Sequence, residues 1–472
     1  MSEVGFQGID AEFKHSALGN RGREKRLRKI ALDVFSSPSS SFPEVSKNAS
    51  QATGLYRFIS NDNVSLDSII TGHQGETVRR CQQLKEVLVA HDSTVFTFPG
   101  DREGLGPISG GKEGFIGHMS LAISSDGLRQ PLGILAVETL VRDRQKKKIK
   151  DSHARKKNDP ARESLRWSRG IAAAEKALNG NASAIHITDR EGDIYECLSA
   201  MHQSDWRYVV RCSSNRNVAD DEGVKRLFAT EGNPNISAER TVKCSQRKGL
   251  LKGKKGKKDG HPPRDERTAK LSITAGRVAI QRPQDEKNSI PELPVNVVYA
   301  REVNPPEGED PVTWTLYTTE PIESKEEILR VIDIYRARWV IEEYFKSLKT
   351  GCRYEARQLE SIQTLRNALG ILIPIAWALL ALRHAAHTAP ETPASQTLNP
   401  VQIAVLQTMP PKKLSANASS REAYLLIAGW GGHLPQNGPP GWQVLWRGMR
   451  RLLEAETAWR AALAAQEKVI NP

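Results

Sequence analysis

The chain has 472 residues, of which 38% are hydrophobic and 26% are charged. That composition excludes wholesale disorder, and a chain of this length can bury a sizeable core without disulfides or metals. It carries 68 lysines and arginines against 55 acidic residues, a net charge of +13. This basic balance points to a polyanionic partner, either nucleic acid or an acidic membrane surface, with a basic soluble enzyme as the alternative.

The cysteines and the apolar segments bear on the compartment. Five widely spaced cysteines form no CxxC motif, which favours a reducing cytosol over a disulfide framework or a zinc ribbon. The first residues lack the basic-then-apolar layout of a secretory signal. The longest uncharged apolar run, Ala368 to Leu382, has 15 residues and contains Pro374. A membrane-spanning helix needs ~20 residues, so we predict a buried helix and a cytoplasmic protein without a membrane partner.

Residues 1–75 are predicted to form a helical domain. After Asn20, a favourable N-cap, apolar residues recur at helical spacing. The other face of this helix carries six cations within nine residues, including Arg23 and Arg26, with Glu24 as the one carboxylate. Such a face is most often simply solvated. It also attracts DNA phosphates, because binding releases condensed counterions, and we predict a DNA contact here.

The next part of the chain has an α/β pattern. Five strands are predicted, at residues 87–96, 115–123, 132–141, 184–188 and 206–211. The first three suit an antiparallel meander, whereas the β–α–β passage between the last two requires a parallel crossover. A mixed five-stranded sheet with this order is the ribonuclease-H-like arrangement, an assignment by fold analogy.

The whole chain is then predicted to contain three domains. They are a helical domain over 1–75, an α/β domain over 76–355 with a β insertion at about 212–325, and a helical C-terminal domain over 356–472. Lysine-rich runs lie at 146–148 and 252–258. A helix is predicted from Glu323 to about Lys349, and the last helix bears Trp442 on an amphipathic face.

Two carboxylates are associated with predicted strands. Asp92 lies inside an apolar strand, where an unpaired charge is costly, and Asp189 ends another strand. Crossover topology can bring two such strands side by side, so both acids can meet at a sheet edge, where α/β folds bind ligands. The alternative for each acid is a turn or capping residue.

A third acid is predicted on the helix of residues 323–349. One helical stripe, at 100° per residue, contains Tyr335, Arg338, Glu342 and Lys349. Glu343 is rotated ~100° from that stripe. Three carboxylates can hold two Mg²⁺ ions ~3.5–4 Å apart and clamp an in-line phosphoryl displacement, with Arg and Lys on the phosphates. The alternative is an ordinary solvated glutamate.

These residues resemble a known family. The spacing Tyr-x2-Arg-x3-Glu-x6-Lys from Tyr335 to Lys349 is similar to the YREK signature of bacterial insertion-sequence DDE transposases, insertion-sequence family four, like the Tn-five transposase. Asp189–Ile194 resembles the second-aspartate motif of that family, and His91–Thr94 resembles the first. Nearly the whole chain is covered, with further likenesses at Tyr56–Ile59, Tyr208–Arg211, Trp314 and Thr319–Pro321.

The resemblance implies a cut-and-paste DNA transposase. Asp92, Asp189 and Glu342 would be the catalytic, metal-binding DDE triad of a ribonuclease-H-like core, with Mg²⁺ as cofactor, Mn²⁺ as substitute and two ions bound. The reactions would nick the transposon end, form and open a hairpin, and join the end to target DNA. All of these steps are phosphoryl transfers at one site.

The resemblance also implies DNA contacts and partners. The expected DNA-binding residues are Tyr335, Arg338, Lys349, Trp314, Arg211, Arg23, Arg26 and Arg57. Trp314 would pack against a flipped base, and its alternative is a strand residue packed in the β insertion. The partners would be transposon ends, target DNA and a second copy of the chain when DNA is bound. The C-terminal helix would serve that dimer unless it packs within the monomer, and the compartment would be the nucleoid-associated cytoplasm of a bacterium.

Two other functions stay open at the level of sequence. A catalytically silent DNA-binding repressor of transposition would be expected to lose a triad residue or the N-terminal domain, and the sequence has both. A ribonuclease-H-like nuclease would cut DNA without joining it, which a strand-transfer assay detects. A membrane-surface protein is disfavoured, because no basic amphipathic helix has a lipid-like apolar face.

Overall fold

The computed structural model describes residues 8–143, 159–220, 223–230, 232–244, 265–284, 286–388, 390–410 and 412–470. The chain divides into two compact units, one of residues 1–183 with 339–472 and one of residues 184–338. The lysine-rich runs at 146–148 and 252–258 lie outside the described residues. The two units divide the chain at residues 183/184 and 338/339. The domain limits at residues 75 and 355 stay predictions.

The fold is mixed α/β, as predicted, with helices at the two ends of the chain and most strands between them. The helices are α1 (Ile9–Glu12), α2 (Arg21–Ser36), α3 (Phe42–Val45), α4 (Ala49–Ile59), α5 (Leu66–Gln82), α6 (Arg166–Leu178), α7 (Tyr195–Gln203), α8 (Lys325–Ala337), α9 (Trp339–Lys346), α10 (Ile362–Thr388), α11 (Pro400–Thr408), α12 (Ser420–Trp430) and α13 (Trp442–Ile470). The strands are β1 (Glu86–Phe98), β2 (Gly106–Pro107), β3 (Glu113–Ser124), β4 (Pro131–Leu140), β5 (Ser183–Thr188), β6 (Arg207–Arg211), β7 (Asn217–Asp220), β8 (Gly223–Arg226), β9 (Asn233–Cys244), β10 (Arg267–Gln281), β11 (Glu292–Glu302) and β12 (Thr313–Thr318).

The N-terminal helices begin where the sequence predicts. Asn20 caps α2, because its Oδ1 accepts hydrogen bonds from the backbone N–H groups of Gly22 (2.7 Å) and Arg23 (3.3 Å). The apolar stripe of α2 is buried, as its helical spacing predicts. Helix α5 is not predicted, because its buried face includes His73 and Arg80, which a count of apolar residues overlooks.

A buried ion network joins α1 to α5. The Glu12 carboxylate lies 2.7 Å from Arg80 Nη1 and 2.5 Å from His73 Nδ1, and all three side chains are almost fully buried. Burial lowers the pKa of His73, so its ring is neutral. His73 Nε2 accepts the backbone N–H of Ile134 (3.0 Å), which leaves the ring proton on Nδ1 to be donated to Glu12. Although burial opposes ionisation, the Arg80 charge and the His73 hydrogen bond lower the pKa of Glu12 to about 2.

Replacing Glu12 by glutamine is expected to destabilise the protein strongly. The substitution leaves the Arg80 guanidinium buried without its counter-charge, which costs about 3–5 kcal/mol. The matched control is Asp10→Asn, since Asp10 pairs with Arg28 on the surface, where an ion pair contributes about 0–1 kcal/mol. Urea unfolding followed by tryptophan fluorescence measures both losses. Equal free energies of unfolding for the two variants would contradict a structural role for the buried network.

The same network makes the protein less stable in acid. The folded-state pKa of Glu12 lies below its ordinary value of 4.5, and that of His73 lies below 6.5. Because both pKa values are lowered, the unfolded chain binds these protons more readily than the folded chain. The stabilisation is therefore complete above about pH 6.5 and declines as the pH falls toward 2. Urea midpoints measured across this range are expected to fall less steeply in Glu12→Gln than in the parent protein.

The sheet of the first unit is the predicted antiparallel meander. β1 pairs with β3, β3 pairs with β4, and the short β2 also pairs with β3. Helix α6 packs on β3 and β4. Gly170 permits this close contact, because a Cβ atom there would come within 2.6 Å of His118 Nε2.

The sheet of the second unit is mixed. β5 and β6 run parallel with Thr188 opposite Val210, which confirms the predicted crossover. From β6 the order continues through β12, β11, β10 and β7 to β8, all antiparallel, and β9 also pairs with β10. Strands β7 and β8 have four residues each and only one buried apolar side chain, Val218, so alternation in the sequence cannot reveal them.

The C-terminal helices belong to the first unit. Among the described residues one helix, α10, is long and apolar enough to cross a membrane, but 89% of its most apolar window is buried inside the protein. The predicted buried helix around Pro374 is thus confirmed. The tryptophan face of α13 packs within the chain, with the Trp446 ring 5.7 Å from Phe35 and the Arg383 guanidinium 4.6 Å from the Trp442 ring. The tryptophan face of α13 is therefore packed within the monomer, which was the alternative to a dimer contact. Dimerisation itself stays a prediction.

Candidate active site

Asp92 begins a half-buried segment of β1 that lies between two buried parts of the strand. The strand is buried from Val87 to His91 and half-buried from Asp92 to Val95. Asp92 Oδ1 accepts the backbone N–H of Ser93 (2.7 Å), which orients the carboxylate. The predicted acid within an apolar strand is therefore present, in the half-buried segment of that strand.

A hydrogen-bonded group supports β1 beside Asp92. Arg166 Nε donates to Ser93 Oγ (2.8 Å), and Ser93 Oγ lies 2.9 Å from His118 Nδ1. Burial, together with the Arg166 charge, lowers the pKa of His118 to about 3, so the ring that contacts Ser93 is neutral. Sequence reasoning does not find this group, because its members are far apart along the chain.

Glu342 lies on α9, which packs against β1. Its side chain is half-buried. The adjacent Glu343 accepts a hydrogen bond from Lys346 Nζ (2.6 Å), three residues later on the same helix. Such i,i+3 pairs are ordinary helix-surface contacts, so Glu343 has a structural explanation. The role of Glu342 as the third acid stays a prediction.

The helix predicted over 323–349 is divided, and its four stripe residues fall on different elements. Tyr335 belongs to α8 in the second unit, and Arg338 follows as a turn residue whose backbone N–H bonds to Tyr335 O (3.1 Å). Glu342 belongs to α9 in the first unit, and Lys349 lies in a π-helical turn beyond it. The stripe calculation assumes 100° per residue, and a turn of a different helical type does not keep that angle.

Lys349 makes its contacts within the first unit. Its Nζ donates to the backbone oxygen of Val95 (2.6 Å) and lies 3.8 Å from the Glu355 carboxylate. Burial lowers its pKa, against the opposing charge of Glu355. The Lys349 ammonium has three N–H donors, and one of them is used by the Val95 oxygen of β1. A DNA phosphate would have to accept one of the other donors. The predicted DNA contact of Lys349 stays a prediction.

Asp189 follows β5 at the edge where the parallel strands β5 and β6 both end. Its Oδ1 accepts the backbone N–H of Glu191 (2.8 Å) and caps a 3₁₀ turn over Arg190–Gly192. Gly192 allows this turn to fold back on the strand, because a Cβ atom there would come within 2.5 Å of Thr188 Cβ. The predicted strand-end position of Asp189 is therefore present, with a half-buried carboxylate.

Asp193, four residues later, has a different environment. Its buried Oδ2 accepts the backbone N–H groups of Ser213 (2.8 Å) and Ser214 (2.9 Å). Its Oδ1 accepts Arg216 Nη2 (2.8 Å) and Nε (3.2 Å). Both oxygens of Asp193 are thus occupied by protein donors. Asp193 lies within the motif identified from the sequence, but the sequence predicts no role for it.

Cations and aromatic rings gather near Asp189 in the second unit. Arg211 Nη2 donates to Thr313 O (3.1 Å), and Arg211 Nη1 lies 3.5 Å from the Tyr335 hydroxyl. The Trp314 and Tyr335 rings meet edge to face, 5.5 Å apart. Burial and the charge of Arg211 lower the pKa of Arg190, which sequence analysis does not single out. The structure thus brings Arg211, Trp314 and Tyr335 together, as a basic and aromatic cluster.

The N-terminal helices form a basic pocket of about 520 Å³ between α2 and α4, lined among others by Arg23, Arg26 and Arg57. The Arg26 guanidinium lies against Gly54, where a Cβ atom would come within 2.8 Å of Nη1. Other cations of α2 are engaged elsewhere, with Arg28 on Asp10 and Lys29 on Asp33. The three arginines named from the sequence therefore line one pocket.

The donor chemistry of the predicted triad fits a hard divalent cation, because carboxylate oxygens are the ligands that Mg²⁺ prefers. Asp92 and Glu342 belong to the first unit and Asp189 to the second. Within the part of the chain that the structure describes, no group of three or more His, Cys, Asp or Glu side chains is arranged to hold a metal ion.

Comparisons with known proteins agree with this chemistry. The family described as "Transposase DDE domain" matches residues 83–379, more than half of the chain, and the family described as "Transposase DNA-binding" matches residues 7–64. One similar solved structure is the cryo-EM structure of the piggyBac transposase synaptic complex with hairpin DNA. It covers 96% of this chain and 84% of its own, at 10% sequence identity and a TM-score of 0.35.

Proposed function

This chain belongs to the family of transposases with a DDE domain, a class of DNA-cleaving and strand-transferring enzymes, and we propose that it is a cut-and-paste transposase of the YREK type. It binds the ends of its own transposon, cleaves them through a hairpin intermediate and joins them to target DNA. The match of residues 7–64 to a transposase DNA-binding family supports an end-binding role for the N-terminal helices. We also propose the ribonuclease-H-like arrangement for its catalytic core.

One observation in the second unit carries the proposal. Asp189 ends β5 in the same unit as the basic and aromatic cluster of Arg190, Arg211, Trp314 and Tyr335. Guanidinium groups bind phosphates, and aromatic rings stack on bases. A carboxylate with these neighbours suits a metal-assisted reaction at a phosphate of nucleic acid.

We assign metal binding to Asp92, Asp189 and Glu342, with Mg²⁺ as the cofactor, Mn²⁺ as its substitute and two ions bound. When bound, the ions supply an activated water and neutralise charge on the phosphate under attack. The Ser93–His118–Arg166 group keeps β1 in position beneath Asp92. The capped turn after β5 holds Asp189 at the sheet edge.

The remaining side chains hold the DNA. Arg211, Arg338 and Lys349 donate to non-bridging oxygens of the scissile phosphate region, and the Tyr335 hydroxyl adds a neutral donor. A water oxygen attacks phosphorus, the bond from phosphorus to the 3′-oxygen breaks, and the 3′-oxygen leaves as a hydroxyl. That 3′-hydroxyl attacks a phosphorus of the opposite strand to form a hairpin and displaces the 3′-oxygen of the flanking DNA. A second water attacks the hairpin phosphorus, and the 3′-oxygen of the transposon end leaves as a hydroxyl. This restored 3′-hydroxyl attacks a phosphorus of target DNA and displaces the 3′-oxygen of the cut target strand.

Two transposon ends must be held together for this reaction, so we propose a homodimer on DNA. The buried tryptophan face of α13 is not available for that contact. Helix α13 continues beyond this face with exposed residues, including Leu463 (46% exposed), and this portion is the proposed dimer contact. We propose the bacterial cytoplasm, associated with the nucleoid, as the compartment.

The deciding experiment is incubation of the purified protein with labelled DNA from the terminal repeat of its own element, with Mg²⁺ or Mn²⁺. Nicks, hairpins and joined products from the parent protein establish the proposed function. Binding without cleavage supports the silent repressor instead. Cleavage without joining, in the presence of a target plasmid, supports a nuclease.

Trp314→Ala is expected to reduce hairpin formation by roughly 10–100-fold, because stacking of a base on an aromatic ring contributes about 1–3 kcal/mol. Trp314→Phe keeps a ring at this position and is the matched control, with a smaller loss. First-strand nicking and hairpin formation are quantified separately on the same end DNA. If the alanine variant forms hairpins at the parental rate, Trp314 is a packing residue of the β insertion.

A further inference from the structure

The strongest unexplained feature of the second unit is the buried clamp around Asp193. This carboxylate is 6% exposed and accepts donors from the segment after β6 alone: Ser213, Ser214 and Arg216. Arg216 Nη2 also donates to the backbone oxygen of Asp193 (2.7 Å), so the contact fixes main chain as well as side chain. A buried acid with this many donors holds its segment in one place.

The clamp ties together the two chain segments that leave the sheet at one edge. β5 and β6 are parallel neighbours with Thr188 opposite Val210, so the turn after β5 and the segment after β6 begin side by side. Asp193 belongs to the turn after β5, and its partners belong to the segment after β6. The segment between Asp189 and Asp193 is a single 3₁₀ turn. A shift at Asp193 is therefore passed directly to Asp189.

We propose that Asp193 and Arg216 are positioning residues for Asp189, and that they also set the spacing between Asp189 and Arg211. The inference rests on the proposed function, in which Asp189 binds metal and Arg211 binds phosphate. The close packing of Gly192 on the Thr188 side chain supports this proposal. The turn has no free space beside Thr188, so a movement of Asp193 also moves Asp189. Partners that orient a metal ligand typically change metal affinity or activity by ~10–100-fold when mutated.

The first test is a metal titration of end cleavage with Asp193→Asn. The new amide would point an N–H group at protein donors, so the clamp opens without loss of side-chain volume. We expect the Mn²⁺ concentration for half-maximal cleavage to rise ~10-fold or more, with end binding unchanged. A purely structural role predicts less folded protein with an unchanged metal requirement. An unchanged half-maximal concentration in the folded fraction would overturn the proposal.

Two further variants separate positioning from other effects. Glu191→Gln removes an exposed acid from the same turn and is expected to keep the parental metal requirement. Arg216→Lys keeps the positive charge but loses the contact of two guanidinium nitrogens with the Asp193 carboxylate. It is expected to raise the Mn²⁺ concentration for half-maximal cleavage, as Asp193→Asn does. If Asp193→Asn fails to fold, Arg216→Lys decides the question alone. Equal shifts in Glu191→Gln and Asp193→Asn would show a general charge effect and overturn the proposal.

The second test needs neither metal nor DNA. Hydrogen exchange of the metal-free proteins is expected to be faster in Asp193→Asn at Arg190–Gly192 and at Ser213–Ser214, with β5 and β6 still protected. Exchange that is unchanged at these amides would overturn the clamp. If the clamp behaves as expected but the parent protein cleaves no end DNA with Mg²⁺ or Mn²⁺, the proposed function fails while the local role of Asp193 stands.

Discussion

Replacing Glu342 by alanine is expected to abolish cleavage of transposon-end DNA while end binding stays at the parental level. The same result is expected for Asp92→Ala and Asp189→Ala. A metal ion contributes several kcal/mol to stabilising charge in a phosphoryl transfer, and each 1.36 kcal/mol is a factor of ten in rate. Loss of one ligand should therefore lower the rate by roughly 10³-fold or more. Single-turnover cleavage of labelled end DNA measures the rate, and a gel shift measures binding.

The chain offers a closely matched control for this prediction. Glu343 is adjacent to Glu342, but its carboxylate accepts a hydrogen bond from Lys346 on the helix surface. Glu343→Gln is therefore expected to cleave at close to the parental rate. Cleavage at close to the parental rate in any triad variant would remove that residue from the proposed metal site. Loss of activity in Glu343→Gln with activity retained in Glu342→Ala would exchange the two assignments.

Removing the three pocket arginines is expected to weaken end binding by roughly 10²–10³-fold, because each phosphate contact contributes about 1 kcal/mol or slightly more. The variant combines Arg23→Ala, Arg26→Ala and Arg57→Ala. Each neutralised phosphate contributes about 0.9 to the slope of log affinity against log salt. The slope should therefore become less steep by about 3, and a salt titration with end DNA measures it.

A second triple variant removes the same charge from the same region. Arg21, Lys25 and Lys29 belong to α2 but do not line the pocket, and Lys29 lies 3.7 Å from Asp33. Their replacement by alanine is expected to weaken binding far less than loss of the pocket arginines. Equal losses in the two variants would mean that the whole charged face of α2, and not the pocket, attracts DNA.

The structure also decides how the N-terminal domain should be tested. Deleting residues 1–75 looks like a simple test of end binding, but it would cut α5 and remove both Glu12 and His73. Arg80 would then stay buried without its counter-charge, which is strongly destabilising. Loss of binding in such a deletion could reflect unfolding, so point variants of the pocket are the better experiment.

Much of the local structure can be predicted from this sequence, because local rules act over a few residues. The cap at Asn20, the apolar stripe of α2 and the apolar runs of β1 and β3 can be read from the sequence one segment at a time. The crossover between β5 and β6 is also readable, since a strand, a helix and a strand in succession pair in parallel. The acids at Asp92 and Asp189 are noticeable because a charge at an apolar strand is costly.

Other features depend on side chains that are distant in the sequence. The contact of Lys349 with Val95 joins residues 254 apart, and the Arg166–Ser93 contact joins residues 73 apart. Periodicity carries no information on such pairs. It also fails for α5, where the buried face is partly ionic. The role of Asp193 is hidden for the same reason, since its partners lie 20 to 23 residues further along the chain.

The sequence by itself determined the class of this protein. The resemblance of the Tyr-Arg-Glu-Lys spacing and of the two aspartate motifs to a known family indicated a DNA transposase, because such motifs are properties of local sequence. The tertiary structure alone decided which cations of α2 line a pocket and that both carboxylate oxygens of Asp193 are occupied by protein donors. Those choices depend on burial and on hydrogen-bond partners, which exist only after distant segments have packed together.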